Sequence, residues 1–523
     1  VKTELLLGGR VHSPSGATAM AVTDGVVVWV GQDSVGRALH PDAEIVDLRG
    51  AFVAPAFVDA HVHATSAGLL LTGLDLTDCA SLGECLRAVR EHAARGGLVW
   101  GHGWDETRWP EGRPPSRAEV DEAAAGVPVY LSRIDVHSAL VSTALVDLAP
   151  GARTADGWSE QGPLSRAAHH HVRGAAKDSV TPERRRAAQR TFLDHAASRG
   201  IASVHECAGP DISGADDLTD LLAQTGGPEV VAYWGETGAV ETARRLGARG
   251  LAGDLFVDGA LGSRTAALCS PYADADTSGT LYLDAEAVAA HLVECTGAGL
   301  QAGFHVIGDA AVTAVVEGFA LAEKTLGAPA LASAEHRLEH LEMVSPEQAA
   351  RLAAWGVVAS VQPLFDAEWG GSDGMYAQRL GVERGTALNP FAQLASAGVL
   401  LALGSDAPVT PVDPWAAVRA AVHHRTPGHG LSPRAAFTAH TRGGWRAAGV
   451  NDGLTGTLQP GAPATYAVWE ADDLVVVAPD SRVQRWSTDP RSGVPGLPPL
   501  EPDSALPTCL RTVLRGETVF SRE

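Results

Sequence analysis

The sequence predicts an α/β fold: a (β/α)8 TIM barrel, a discontinuous β-sandwich domain formed by both chain ends, and a long insertion after barrel strand 1. Three observations carry this. Eight short apolar runs, each ending in polar residues, alternate with segments of helical period through the middle of the chain. The two ends share a different texture, hydrophobic runs punctuated by Gly and Asp, as in a small sheet. One connection, residues 64–180, is far longer than a barrel loop requires.

Taken in order, the leading segment reads as the strands "TELLLGG", "ATAMAVTDG", "VVVWVGQD" and "AEIVDLRG". The tail repeats the pattern in "TYAVWEADDLVVVAP" and "LRTVLRGETVFSRE", so residues 1–56 and 455–523 are expected to pair as one domain around a barrel of 57–454. The barrel runs are "FVDAHVH" from Phe57, "GIASVHE" from Gly200, "EVVAYWGE" from Glu229 and "GDLFVDG" from Gly253. They continue with "LQAGFHVIGD" from Leu300, "HRLEHLEM" from His336, "GVVASVQP" from Gly356 and "VLLALGSDAP" from Val399. A helix is expected over "TPERRRAAQRTFLDHAASRG", where Thr181 caps the start and Gly200 the end. The insertion carries its own strands, "LVWGHGWDE" and "PVYLSRIDVHSALV", and a helix opened by the capping box Ser116–Glu119. At the catalytic end of a barrel it would form a lid or pocket wall.

The bulk properties exclude several classes of function. The 523 residues are 45% hydrophobic with a mean hydropathy of +0.02, and no apolar run approaches the ~18–20 residues of a membrane span. The start, "VKTELLLGGRVHS", turns polar too soon for a signal peptide. A formal net charge of -22 without a basic run argues against nucleic acid or an anionic membrane as partner. The six cysteines are scattered, with no Cys-x-x-Cys, which disfavours a disulfide framework or zinc finger. The expectation is a cytoplasmic protein acting on a small molecule, with assembly into a homo-oligomer left open. Lysine occurs only at Lys2, Lys177 and Lys324.

Chemistry concentrates at the strand ends. In "FVDAHVHA", His61 and His63 lie two apart in a strand and so point to one face. His305 ends the fifth run, His340 the sixth and Asp406 the eighth. Imidazole and carboxylate suit zinc and similar divalent ions, and a coordination position left open lowers the pKa of a bound water to around 7. A carboxylate beside it, Asp406, could take the proton and deliver it to a leaving group. With 20 histidines some must reach strand ends by chance. A His-x-His, two single histidines and a Gly-Ser-Asp at four separate strand ends are harder to explain that way.

These motifs, "VDAHVHA", "HVIGDAAV", "RLEHLEM" and "LALGSDAPV", resemble the amidohydrolase superfamily, specifically amidohydrolase family 3, and are similar to N-substituted formamide deformylases. "GWDETRWPEGRPPSRAEVDEAA", "DVHSALVS" and "DGALGSRTAAL" resemble more private motifs of that family. The resemblance implies a metal-dependent hydrolase of C–N amide-like bonds, with metal binding at His61, His63, His305 and His340 and the catalytic carboxylate at Asp406. Many such proteins carry a lysine, as a carbamate bridging two metals, four residues before the Asp of the strand-four motif; here that position is Asp254. Aspartate is several bonds shorter, so the expectation is one tightly held ion, zinc as first choice. It would be bound by His61, His63 and Asp406 with His305 or His340, and Glu206 is the nearby side chain able to add a ligand.

Other candidates each have a plainer reading. Trp104, Asp105 and Glu106 could line the substrate pocket or merely stabilise the lid. His137 could touch substrate or be structural, and Arg264 could clamp a substrate carboxylate or sit in an ion pair. His169, His170 and His171 read as a polar helix face, and His423, His424 and His440 as background. The function expected is hydrolysis of a C–N bond, with metal-activated water as nucleophile, His340 or the metal polarising the electrophile and Asp406 shuttling the proton. The alternatives are a deaminase or cyclic-amide hydrolase with the same site, or a non-catalytic small-molecule-binding descendant, which would not need Asp406.

Overall fold

The computed structural model describes residues 2–476 and 494–522. Eight parallel strands form the central sheet: β1 (Phe57–Val62), β2 (Ile201–Ala208), β3 (Glu229–Trp234), β4 (Gly250–Leu251), β5 (Gln301–Val306), β6 (Arg337–His340), β7 (Val358–Val361) and β8 (Leu400–Leu403). Each pairs with the next in sequence order. A parallel bridge between Val62 and Ala407 brings the end of β8 back to β1. The Asp406 amide donates to the His61 carbonyl at 2.8 Å and the His63 amide to Ala407 at 2.9 Å, so the last loop is stitched to the first. The core is apolar from Phe57, Ile201 and Phe304 through Leu338, Val361 and Leu403 to Trp415 and Phe437.

The fourth strand departs from expectation. It was placed at Gly253–Gly259, yet the regular ladder is Gly250–Leu251, with Gly250 opposite Tyr233 and Gln301. At Gly253, φ is +80°, and an added Cβ would lie 2.9 Å from that of Cys207. The chain turns there and rejoins β5 only through Phe256, opposite His305. Asp254 sits in that turn, over the mouth of the barrel.

Strands from the two chain ends meet in one sheet. One four-stranded sheet is N-terminal, running from Thr3–Leu7 to Glu44–Asp47. A second, five-stranded sheet interleaves both ends: Phe52–Pro55 pairs antiparallel with Tyr466–Glu470, which pairs with Thr508–Leu514. The part of the expected tail strand at 477–479 lies outside the described residues.

The insertion folds as a five-stranded sheet: Leu74–Asp75, Val99–Trp104, Val129–Arg133, Ser138–Val141 and Leu164–Ser165. Its helix Arg117–Ala124 opens with the capping box of Ser116 and Glu119. A further helix, Arg166–Asp178, closes it. Then comes Pro182–Ser198, where Thr181 accepts from the Arg184 amide at 3.3 Å. Among the described residues no helix is long and apolar enough to cross a membrane.

The barrel and the two-ended sheet are joined by Trp469. Its ring lies 5.7 Å from those of Phe57 and Trp415, and it closes over Gly200, where an added Cβ would fall 2.2 Å from the indole. Gly200 also ends its helix with φ +80°. Both demands exclude a side chain, so Gly200→Ala should destabilise the protein by about 2–4 kcal/mol, read as a lower denaturant midpoint.

Candidate metal centre and its cavity

Six side chains converge at the C-terminal mouth of the barrel. His61 Nε2 is 3.4 Å from Asp406 Oδ1 and 3.6 Å from Asp254 Oδ1. His63 Nε2 is 3.2 Å from Asp406 Oδ1 and 3.0 Å from Asp254 Oδ2. His305 Nδ1 and His340 Nε2 approach Asp254 Oδ1 from the other side at 3.3 and 3.7 Å. Asp254 therefore stands among all four imidazoles. The expectation that it falls short of the centre is corrected: the turn at Gly253 moves its backbone over the barrel mouth, so a short side chain reaches where a long one would otherwise be needed.

Three of the four rings are held from behind; His63 Nδ1 is buried with no hydrogen-bond partner among the described residues. His61 Nδ1 donates to Glu339 Oε2 at 2.8 Å; Glu339 is in turn paired with Arg337, which also donates to His205 Nδ1 at 2.8 Å. His340 Nδ1 donates to Gln362 Oε1 at 2.7 Å, and His305 Nε2 to the Gly259 carbonyl at 3.0 Å. These bonds select the tautomers that leave His61 Nε2, His340 Nε2 and His305 Nδ1 free to face the centre. His340 and Asp406 take positive φ, +71° and +54°, an uncommon backbone at two of the converging positions. Asp59 beneath accepts from the Ser405 amide at 2.8 Å, fixing the Gly-Ser-Asp turn, and burial pushes its pKa up to about 6.

The donor set fits a divalent cation. His61 Nε2 and Asp406 Oδ1 are buried with no hydrogen-bond partner among the described residues, and they face each other. Of three groups with ligand atoms mutually within 4.8 Å among the described residues, His61–His63–Asp406 and His61–Asp254–His340 face the barrel mouth, and the third, His61–Cys207–Glu339, uses the back of the His61 ring. Burial by itself would strip the proton from His63, but the Asp254 and Asp406 carboxylates outweigh it and hold its pKa at about 9. A proton there occupies the position of a cation, as expected of ligands that exchange protons for metal.

Several expected site residues are elsewhere. Glu206 accepts from the Ala64 amide at 2.8 Å and belongs to none of these groups, so the structure gives no support to it as an added ligand; burial raises its pKa to about 7. Trp104 is core of the insertion, its indole donating to the Leu131 carbonyl at 2.8 Å. Asp105 and Glu106 are not pocket groups either: Arg133 gathers them with Asp135 at 3.0–3.1 Å, a buried charge cluster that ties the insertion together. Arg264 takes its plainer reading, paired with Asp274 at 2.8 Å. His137 does reach the site, its ring 5.0 Å from that of His305, and burial drives its pKa well down.

A cavity opens from the centre toward the insertion, lined by His63, Asp254, His137, Tyr130, Arg166 and Arg173 among others. His102 was missed as a lining residue. Its Nε2 donates to the Pro408 carbonyl at 2.8 Å, binding the insertion sheet to the loop that carries Asp406. The reading of His169–His171 as a polar face is corrected for two of the three. His169 is buried against the Tyr130 hydroxyl at 2.9 Å and His170 lines the cavity, whereas His171 is exposed. The period of the helix was legible, but not which side the insertion would turn to the barrel.

Comparisons agree with this architecture. The sequence profile described as "Amidohydrolase family" matches residues 44–520. The Arabidopsis thaliana protein LONG AFTER FAR-RED 3 is 28% identical over 86% of this chain and 84% of its own length. The N-substituted formamide deformylase of Arthrobacter pascens is 25% identical over 81% of this chain and 83% of its own. A crystal structure of an uncharacterized metal-dependent hydrolase from Pyrococcus furiosus superposes with a TM-score of 0.70 at 27% identity, covering 90% of this chain and 99% of that one.

Glu339 supports the centre without touching it. Glu339→Gln keeps the shape but weakens the acceptor behind His61, and should lower metal affinity about 10–100-fold, measured by competition with a chelator.

Proposed function

The chain belongs to the amidohydrolase family, and from that premise we propose that it hydrolyses a carbon–nitrogen bond, amide or formamide-like, of a small molecule. The observation that carries this reading is the convergence of His61, His63, His305, His340, Asp254 and Asp406 on one point at the floor of a cavity, with ligand atoms left unpartnered. Its similarity to the Arthrobacter deformylase supports the choice of bond. Zinc is the first candidate for the ion, given imidazole and carboxylate donors. Bound there, such an ion would acidify a coordinated water and polarise the scissile carbonyl.

The protein's own groups do the rest. Asp406, held by its φ of +54° and by its amide bond to His61, presents its carboxylate where the proton of the attacking water is released. It then returns that proton to the departing nitrogen. His340, oriented by Gln362, presents Nε2 to the same point from β6, as a ligand for the ion while the ring is neutral and as a donor to the carbonyl oxygen only when it is protonated. Asp406→Asn should therefore reduce turnover on the order of 10²-fold or more, well beyond any change in substrate affinity. Steady-state kinetics across formamides, amides and lactams checks this, and near-normal turnover would move the proton transfer to another group.

A single ion is expected only if Asp254 falls short of the centre, and its carboxylate lies within 3.7 Å of all four imidazoles. Asp254 would supply the anion needed for a second cation to be held beside the first. Two equivalents of metal should remain after dialysis against a weak chelator, falling to one or fewer in Asp254→Asn. One equivalent in both proteins would restore the mononuclear reading.

A further inference from the structure

The cavity that Asp254 and His63 line also holds a cation without an ion-pair partner among the described residues. Arg173 is 9% exposed, and its Nε and Nη2 are buried without any hydrogen-bond acceptor among the described residues. It lines the same cavity as His63 and Asp254. Two other basic groups nearby stand beside carboxylates. Arg166 lies 3.0 Å from Asp156, and His170 is 4.0 Å from Asp211. Lys177, one turn beyond Arg173 on the helix Arg166–Asp178, lines the adjoining cavity beside Glu206 and Asp217.

Burying an unpaired guanidinium is costly, and a chain with a net charge of -22 has carboxylates in abundance to pair it with. None lies within ion-pair distance of Arg173 among the described residues. A guanidinium offers a planar fork matched to a carboxylate, and one uncompensated positive charge matches a monoanion. We infer that Arg173 is a specificity-determining residue, and that the substrate is a small amide or lactam bearing a carboxylate, clamped by Arg173 while its C–N bond lies over the metal centre. This rests on the hydrolase reading above. In the reaction, water adds its oxygen to the carbonyl carbon and the C–N bond breaks. The nitrogen leaves with the proton carried by Asp406, and the substrate carboxylate is unchanged throughout.

The test reads binding and does not need turnover. Metal-loaded protein is heated with N-acetylglycine or succinamate, and in parallel with their neutral counterparts N-acetylglycinamide and succinamide. At least one acid should raise the Tm at concentrations where its amide does not, with an apparent affinity about 10–100-fold better. In Arg173→Met that preference should vanish, while the ligand-free Tm stays level or rises because a buried unpaired charge is gone. Arg173→Lys should keep a reduced preference. Equal protection by acids and amides in the wild type, or an acid preference intact in Arg173→Met, would overturn the inference. Neutral amides hydrolysed without acid preference sink the carboxylate clamp alone; acid preference without hydrolysis of any panel member sinks the hydrolase reading alone.

Discussion

Everything at the barrel mouth depends on one carboxylate being where four imidazoles can share it. Asp254 lies 3.0–3.7 Å from His61, His63, His305 and His340. Buried rings of this kind repel when protonated and leave lone pairs stranded when not, so their convergence needs an anion at the centre or a cation in its place. The fold supplies the anion by interrupting a strand. Gly253 at φ +80° ends the regular pairing of β4 and swings the next residue inward. A backbone irregularity thus brings a short side chain to the point where the four imidazoles meet.

The rest of the site is scaffolding for orientation. Arg337 and Glu339 lie fully buried within the barrel, and their charges reach the centre only through the back of the His61 ring. Such a pair is a costly way to fill a core. It fits a role in fixing one tautomer and one ring angle at the ligand. The same logic explains Asp258, whose carboxylate collects the amides of Ile307, Gly308 and Ala267 at 2.8–3.0 Å and so ties the turn after β4 to the end of β5, although burial lifts its pKa to about 7.

The barrel order and the convergence of His61, His63, His305, His340 and Asp406 were legible because strand period and strand-end polarity are local signals. Asp254 was misjudged because reach was reckoned from a regular strand, and a lone glycine does not announce which way the chain will turn. For Trp104, Asp105 and Glu106 local chemistry leaves a pocket role and a lid-stabilising role open, because their partners Leu131 and Arg133 come from the next strand of the insertion, a pairing no short window contains. Arg173 was invisible for the opposite reason. Its significance is that no ion-pair partner stands beside it among the described residues, and only a folded chain shows that.

The pairing of Phe52–Pro55 with Tyr466–Glu470 has a consequence for how the molecule comes into being on the ribosome. The strand that leads directly into His61 and His63 is made early, yet its neighbour in the sheet emerges only after the whole barrel has been synthesised. Val62 likewise waits for Ala407. Until then the first ligand pair belongs to a chain whose sheet edges are open, which invites pairing with other nascent chains. Completion of the metal centre and burial of those edges are therefore both late events, so a polypeptide released early would lack its candidate site along with the strands that cover those edges.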